Sequence, residues 1–301
     1  MQIIVIMKSM DMITAGIKQA DAVDIRCRHC FLRTYNRLFD KYKIERNQRL
    51  YFFMHYNQIL LKYKTLISPE IQQLLNEKFC EIIGVDDPFE EEKSNSNKIA
   101  MGLYARWKNE VLESSDPFNL ALRLAVAGNI MDYGAYEKFD IRHTIQKVLS
   151  ADFTIDASSR LKNKIKKAKK ILYLGDNAGE IVFDKIFIET IMHNNLTYVV
   201  RGASILNDAT LEDAKNTGMD LAADVFSNGY GAPSTILRKC SREFQKVFQE
   251  ADLIISKGQG NLEGLITHHD PRIFFLLMVK CDVIADLLQV QKGDFVVYNQ
   301  N

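Results

Sequence analysis

The feature that most constrains this chain is a change of hydrophobic period at Lys170. Beyond it, short and fully apolar runs alternate with amphipathic stretches, and a run that is apolar at every residue suits a strand covered on both faces. Such runs fall at 171–174, 197–200, 224–226, 253–255 and 274–279, with a last one at 295–298 expected to be an edge strand. Helices are expected between them at 181–192, 209–216 and 233–251. The pattern predicts an α/β fold, a Rossmann-like, doubly wound and mainly parallel sheet.

Before Lys170 the period is helical. Apolar residues recur at three and four, as in Ile99, Leu103, Trp107, Val111 and in Leu120, Leu124, Ala127, Met131. Breaks pair capping residues with proline at Ser68-Pro69, at Asp86-Asp87-Pro88 and before Pro117. The expected organisation is an all-helical domain over 1–168, with 1–24 set apart as an extension, and an α/β domain over 169–301. Six lysines crowd into 161–170, but Leu161, Ile165 and Ala168 form one buried helical stripe, so the lysines read as its solvated face.

Charge and cysteine usage narrow the function. Lysine plus arginine (39) nearly cancels aspartate plus glutamate (38), so no global field draws the chain to nucleic acid or to a membrane surface. The apolar run at 3–7 is far shorter than a signal-peptide core or a membrane span. Five scattered cysteines do not form a disulfide framework. The expectation is a cytoplasmic protein with reduced thiols.

In an open parallel sheet, ligands bind beyond the carboxyl ends of the strands, where connecting loops and helix N-termini gather. Here the first of these loops reads Gly175-Asp176-Asn177-Ala178-Gly179-Glu180 and the second runs from Arg201 to Asp208. Later loops carry Ser227 to Gly231, Ser256-Lys257-Gly258-Gln259-Gly260-Asn261 and Lys280-Cys281-Asp282. Each alone reads equally as a turn, a helix cap or a sharp connection. Five at one edge are harder to explain that way, because a turn has no need of paired acid, amide, arginine and lysine. Two carboxylates and a carboxamide are hard oxygen ligands suited to a divalent ion. Arg201, Lys257 and Lys280 can neutralise an anion, and Gly258 and Gly260 let backbone amides approach phosphate oxygens. Metal and anion cradle together indicate phosphoryl chemistry.

The segment from Tyr173 to Asp184 resembles the central motif of the damage-control phosphatases, formerly domain of unknown function 89. Blocks at 127–132, 201–210, 256–261 and Cys27-Arg28-His29-Cys30 follow in that family's order, and the cysteine pair resembles a prokaryotic subgroup with a Cys-x-x-Cys signature. The resemblance covers about residue 25 to the end. It implies a helical domain packed on an α/β domain, a bound divalent metal (Mn, Mg, Co or Ni), and hydrolysis of phosphate monoesters of small metabolites, phosphosugars or damaged phospho-metabolites.

The resemblance also assigns roles. Metal ligands fall on Asp176, Asn177 and Asp208, and a phosphate-binding lysine on Lys280. Better-characterised subgroups carry Arg-Thr-x-Lys there, whereas this chain reads Leu277-Met278-Val279-Lys280. Asp176, Glu180 and Lys257 are the catalytic candidates. Arg201, Lys257, Gly258, Gly260, Asn261 and Lys280 are the candidates for holding substrate, joined by Asn129 and Asp132, which share one face of a helix. Direct attack by water is favoured over an aspartyl-phosphate on Asp176, with Glu180 orienting the water or simply complementing a helix dipole.

Two other readings remain open at this level. A methyltransferase using S-adenosylmethionine would also place a glycine-containing loop after its first strand, although Arg201-Gly202 stands where a ribose-binding acid is expected. A non-catalytic metabolite-binding protein would keep the fold and the anion cradle without turnover. Cys27 and Cys30 supply two ligands where a structural zinc needs four. They read first as structural or substrate-proximal thiols.

Overall fold

The structure, a computed structural model, describes residues 23–128, 149 and 151–300. Five helices come first: α1 (Ile25–Lys41), α2 (Arg46–Lys62), α3 (Ser68–Ile83), α4 (Glu90–Glu113) and α5 (Pro117–Gly128). The breaks read from sequence fall at helix starts. Pro69 lies in the first turn of α3 and Pro117 opens α5, where a missing N–H costs nothing. Glu90, Glu91 and Glu92 fill the first turn of α4, where negative charge meets the helix dipole.

There follow β1 (Phe153–Asp156), α6 (Ser158–Lys167), β2 (Ile171–Leu174), α7 (Glu180–Ile191), β3 (Leu196–Val200), α8 (Leu211–Asn216) and β4 (Asp224–Ser227). The chain closes with α9 (Arg242–Glu250), β5 (Leu253–Lys257), α10 (Gly258–Leu265), β6 (Ile273–Met278), α11 (Asp282–Leu288) and β7 (Phe295–Tyr298). One seven-stranded sheet runs β1-β7-β6-β5-β2-β3-β4. The five strands from β6 to β4 are parallel, while β7 is antiparallel to β6 and parallel to β1. The expected α/β, Rossmann-like architecture with an N-terminal helical region is therefore present.

The strands alternate their side chains between two cores, as the pleat requires. Ile171, Tyr173, Leu253, Ile255, Phe274 and Leu276 join the core that contains Trp107, Leu124, Ile181 and Phe187 from the helices of one face. Leu172, Leu174, Ile254, Phe275 and Leu277 join the other, with Phe244, Phe248 and Ile284. A third core is built mainly from α1–α3, where Tyr35, Phe39, Phe52 and Phe79 pack ring against ring. This three-helix unit is tied to the sheet domain by Arg26–Asp286 (2.5 Å) and Arg238–Glu70 (2.6 Å).

Three expectations change. The strand at 295–298 is not at the edge, because β1 pairs outside it. β1 was unread because Phe-Thr-Ile-Asp is short and half polar, and it puts sheet structure on the N-terminal side of the expected division at 168/169. The helix expected over 233–251 is instead a 3-10 turn at Leu237–Lys239 followed by α9, since Ser241 accepts a hydrogen bond from the Phe244 N–H and caps a later start. In α6, Leu161 and Ile165 are buried as expected. All five cysteines are free, and among the described residues no helix is long and apolar enough to cross a membrane.

Candidate active site

The chain enters the parallel sheet at β2, builds β3 and β4 on one side, then crosses to β5 on the other. The strand order thus reverses between β2 and β5, and their carboxyl ends open a crevice there. The loops after β2 and β3 are laced together by backbone bonds. Ala178 N–H donates to Asn207 O (2.9 Å), Ala209 N–H to Asp176 O (2.8 Å) and Arg201 N–H to Ala209 O (3.0 Å), with an isolated bridge between Asn177 and Asp208. This lacing brings Asp176, Asn177 and Asp208 together. The loop after β5 closes in from the other side. Gly258 has φ +76°, and a Cβ there would lie 1.8 Å from Asp176 Oδ2, so only glycine lets this backbone sit against the carboxylate. Gly260 passes equally close to the Pro233 carbonyl, 2.0 Å from a Cβ position.

A pocket of about 180 Å³ lies over these loops, roofed by the N-terminal helices. Asp176, Asn177 and Asp208 form its floor, Gln259, Gly260, Glu263 and Lys280 one side, and Cys30, Phe31, Thr34, Ser68 and Gln72 the helical wall. Burial raises the Asp176 carboxyl well above the usual aspartate range. The charges of Asp208 and Glu180 push it further up, against the opposing pull of Arg201 and Lys280. The Asn177 amide nitrogen donates to Asp176 Oδ2 (3.0 Å) and Glu180 Oε2 (3.2 Å), which turns the carboxamide oxygen away from them.

Two of the expected anion binders do not reach the pocket wall. Arg201, 3% exposed, spends its guanidinium on Asp208 Oδ2 (2.6 Å), Asp176 Oδ1 (3.3 Å) and Asn261 Oδ1 (2.9 Å). Lys257 is fully buried and points beneath the site, to Ala125 O (2.7 Å), Glu180 Oε1 (2.6 Å) and Asp184 Oδ1 (2.5 Å). Burial works against the Lys257 ammonium, but Asp184 and Glu180 outweigh it and hold its pKa above the ordinary value. Burial also lifts Asp184 to about 6 despite that lysine. Tyr173 and Tyr198 hydroxyls donate to the two Asp184 oxygens at 2.6 and 3.0 Å.

Glu180 is consequently held between Lys257 and Asn177, and its position corrects the expectation of a water-orienting carboxylate. Asn261 also lies off the pocket lining. It accepts from Arg201 and donates to Gly175 O (3.1 Å) and Lys257 O (2.8 Å), stapling the loops after β2 and β5. Asn129 and Asp132 lie outside the described residues. Lys280 lines the pocket, and its N–H donates to Gln259 Oε1 (3.0 Å).

Sequence reasoning missed Asn97 and Asp184. Asn97 on α4 accepts from the Gly179 N–H (2.7 Å) and donates to Asp213 Oδ1 (2.8 Å), which fixes the β2–α7 loop from the helical side. Asp184 had a usable signal. It stands four residues after Glu180, so both acids share one face of a helix that is apolar at most of its other positions.

The donor set fits a divalent ion by its chemistry, since two carboxylates and a carboxamide oxygen converge on one floor, with Arg201 paired to both carboxylates. Among the described residues no three His, Cys, Asp or Glu side chains form a metal cluster, so this donor set counts the Asn177 amide as its third member.

The fold is shared with known proteins. A crystal structure of a DUF89 family protein (PH1575) from Pyrococcus horikoshii superposes with a TM-score of 0.84 at 32% identity, covering 92% of this chain and 99% of that one. Damage-control phosphatase PH1575 of that organism is 39% identical over 218 residues, 71% of this chain and 75% of the relative. A damage-control phosphatase of Archaeoglobus fulgidus is 35% identical over 237 residues, 76% of this chain and 82% of the relative. The description of the damage-control phosphatase ARMT1-like domain matches residues 23–296. With that span matched from α1 into β7, the chain belongs to the damage-control phosphatase ARMT1-like domain family.

Proposed function

We propose that this protein is a divalent-metal-dependent phosphatase that hydrolyses phosphate monoesters of small metabolites, with the ion held by Asp176, Asn177 and Asp208. The observation that carries the reading is the convergence of these three side chains on the floor of one pocket, at the sheet's switch point, with Lys280 on its wall. The relatives named damage-control phosphatases support the phosphatase half of it. The metal half rests on the donor set and on the crowding of Asp208 and Glu180 against buried Asp176, which a dication would relieve.

When bound, Mn²⁺, Mg²⁺, Co²⁺ or Ni²⁺ supplies Lewis acidity and lowers the pKa of water for attack on phosphorus. The chain's own residues do the rest. Lys280 and the backbone around Gly258 and Gly260 receive the non-bridging oxygens, and their positive charge and N–H dipoles favour the charge that spreads over those oxygens in the transition state. Glu180, locked by Lys257, keeps the Asn177 oxygen directed outward. Arg201 holds Asp176 and Asp208 at fixed separation, so little rearrangement accompanies binding. Direct attack by water remains the preferred route, because Asp176 is committed as a ligand. The partner on this reading is a small phosphorylated metabolite, in a cytoplasmic setting and with neither nucleic acid nor membrane involved.

Purified protein assayed on a generic aryl phosphate, with and without each of the four ions, tests the reading. Hydrolysis stimulated by at least one ion is expected. Its complete absence would leave a metabolite-binding protein of the same fold.

A further inference from the structure

The metal and phosphate roles leave one carboxylate of the described pocket lining unused. Glu263 stands on α10 one turn beyond Gln259 and Gly260, so it shares their side of the helix and lies along the same wall. Gln259 links the two ends of that wall, because its side chain accepts from the Lys280 N–H (3.0 Å), donates to Cys281 Sγ (3.2 Å) and hydrogen-bonds Glu263. Among the described residues no lysine, arginine or histidine forms an ion pair with Glu263. Burial pushes its carboxyl up to about 7, with Gln259 pulling slightly the other way.

The wall facing it is uncharged. Thr34, Ser68 and Gln72 offer neutral polar groups beside Phe31 and Pro69, and Lys280 is the lone cation of the described lining. The cavity, about 180 Å³, is below the roughly 300–1,000 Å³ of drug-sized sites, so a bound ester must reach this region with its carbon moiety. One end of the pocket is thus built for a single phosphoryl group, and the other holds an acid with no cation to offset a second anion.

We propose that Glu263 is a specificity-determining residue: it accepts hydrogen bonds from hydroxyl groups of the leaving group and rejects phosphate esters that carry a second acidic group. This rests on the phosphatase reading of the same site. The favoured substrate class is a monophosphate of a small, neutral, hydroxylated compound, and bisphosphates and phosphorylated carboxylic acids are excluded. Rejection by an unpaired like charge is a general route to specificity, because the wrong ligand must either bring two anions together or have one of them take up a proton.

Glycerol 3-phosphate and 3-phosphoglycerate share a three-carbon frame and differ mainly in a carboxylate, so they isolate this effect. Their binding to the Mn²⁺-loaded wild-type protein and to Glu263→Gln is measured by calorimetry at pH 8, beside hydrolysis of an aryl phosphate. The wild type should bind glycerol 3-phosphate about 100-fold more tightly, and Glu263→Gln should shrink the ratio about 10-fold or more, chiefly by tighter binding of 3-phosphoglycerate. A wild type that binds both equally overturns the proposal without any variant, and so does a folded Glu263→Gln that keeps the wild-type ratio. A ratio that shifts as expected while no aryl phosphate is hydrolysed would retain the role of Glu263 and remove the phosphatase reading instead.

Discussion

The two charge clusters beneath and within the pocket have the same composition and opposite surroundings. Asp176, Asp208 and Arg201 make one; Glu180, Asp184 and Lys257 make the other. Each is two carboxylates around one cation, and the cations Arg201 and Lys257 come from the carboxyl ends of the two strands that flank β2. In the sealed cluster Lys257, Glu180 and Asp184 are fully buried, and two tyrosine hydroxyls satisfy the Asp184 oxygens. In the other, both aspartates line the pocket. A buried ion pair that is fully hydrogen-bonded fixes geometry, whereas carboxylates at a pocket floor present oxygen to a ligand. The comparison teaches that residue type at a strand end does not separate scaffold from site. Which way the side chain is turned does.

The contrast is broken most forcefully at Lys257. Lys257→Met leaves Glu180 and Asp184 buried without their cation and should cost about 3–5 kcal/mol of stability by denaturant unfolding. A loss under about 1 kcal/mol would show that the sealed cluster is not the structural one.

Lys280→Ala acts on the open side and should leave unfolding nearly unchanged. It should lower kcat/KM on an aryl phosphate by about 100-fold, through loss of charge on the phosphoryl oxygens. Equal activity would place the anion elsewhere in the pocket.

Asn97→Ala tests how the open cluster is held. Gly179 N–H and Asp213 would lose a buried partner, at about 1–3 kcal/mol of stability. Weaker Mn²⁺ binding, about 10-fold by calorimetry, is expected with it, as for a residue that orients ligands. Unchanged affinity would mean that the loop after β2 needs no support from α4.

The smallest effect concerns Glu263. Its folded-state pKa, about 7, lies above the ordinary 4.5, so the folded protein resists its ionisation. Its contribution to stability is therefore complete below about pH 4.5 and is lost as pH rises to about 7. Taking the difference between wild type and Glu263→Gln cancels the other groups. The wild type should lose stability relative to the variant across that window, and parallel pH profiles would contradict the burial argument.

The inner strands and the convergence of the open cluster were legible in sequence, the sealed cluster was not, and the difference has a physical reason. The inner strands announced themselves because a strand covered on both faces has no polar position to dilute it. Asp176, Asn177 and Asp208 were readable because the loops of adjacent parallel strands must meet at one edge. Lys257 was misread as an anion binder. Period-two alternation places it with Leu253 and Ile255, toward the core that holds α7, rather than toward the crevice. Glu180 and Asp184, four apart on that helix, are its natural partners. Asn97 left no comparable signal, because it acts from a helix some eighty residues away in sequence, and only tertiary packing brings it to Gly179.

On this reading the open cluster is a metal site for phosphate-ester hydrolysis. It is tested most directly by stripping wild-type protein with a chelator and titrating back Mn²⁺, while metal content and aryl phosphate hydrolysis are followed together, with Asp208→Asn beside it. Activity in the wild type should rise in step with one bound ion per chain. The variant should bind the ion at least about 10-fold more weakly and lose most of that activity. Full hydrolysis by the stripped protein, or an Asp208→Asn variant that takes up and uses the ion as the wild type does, would contradict it.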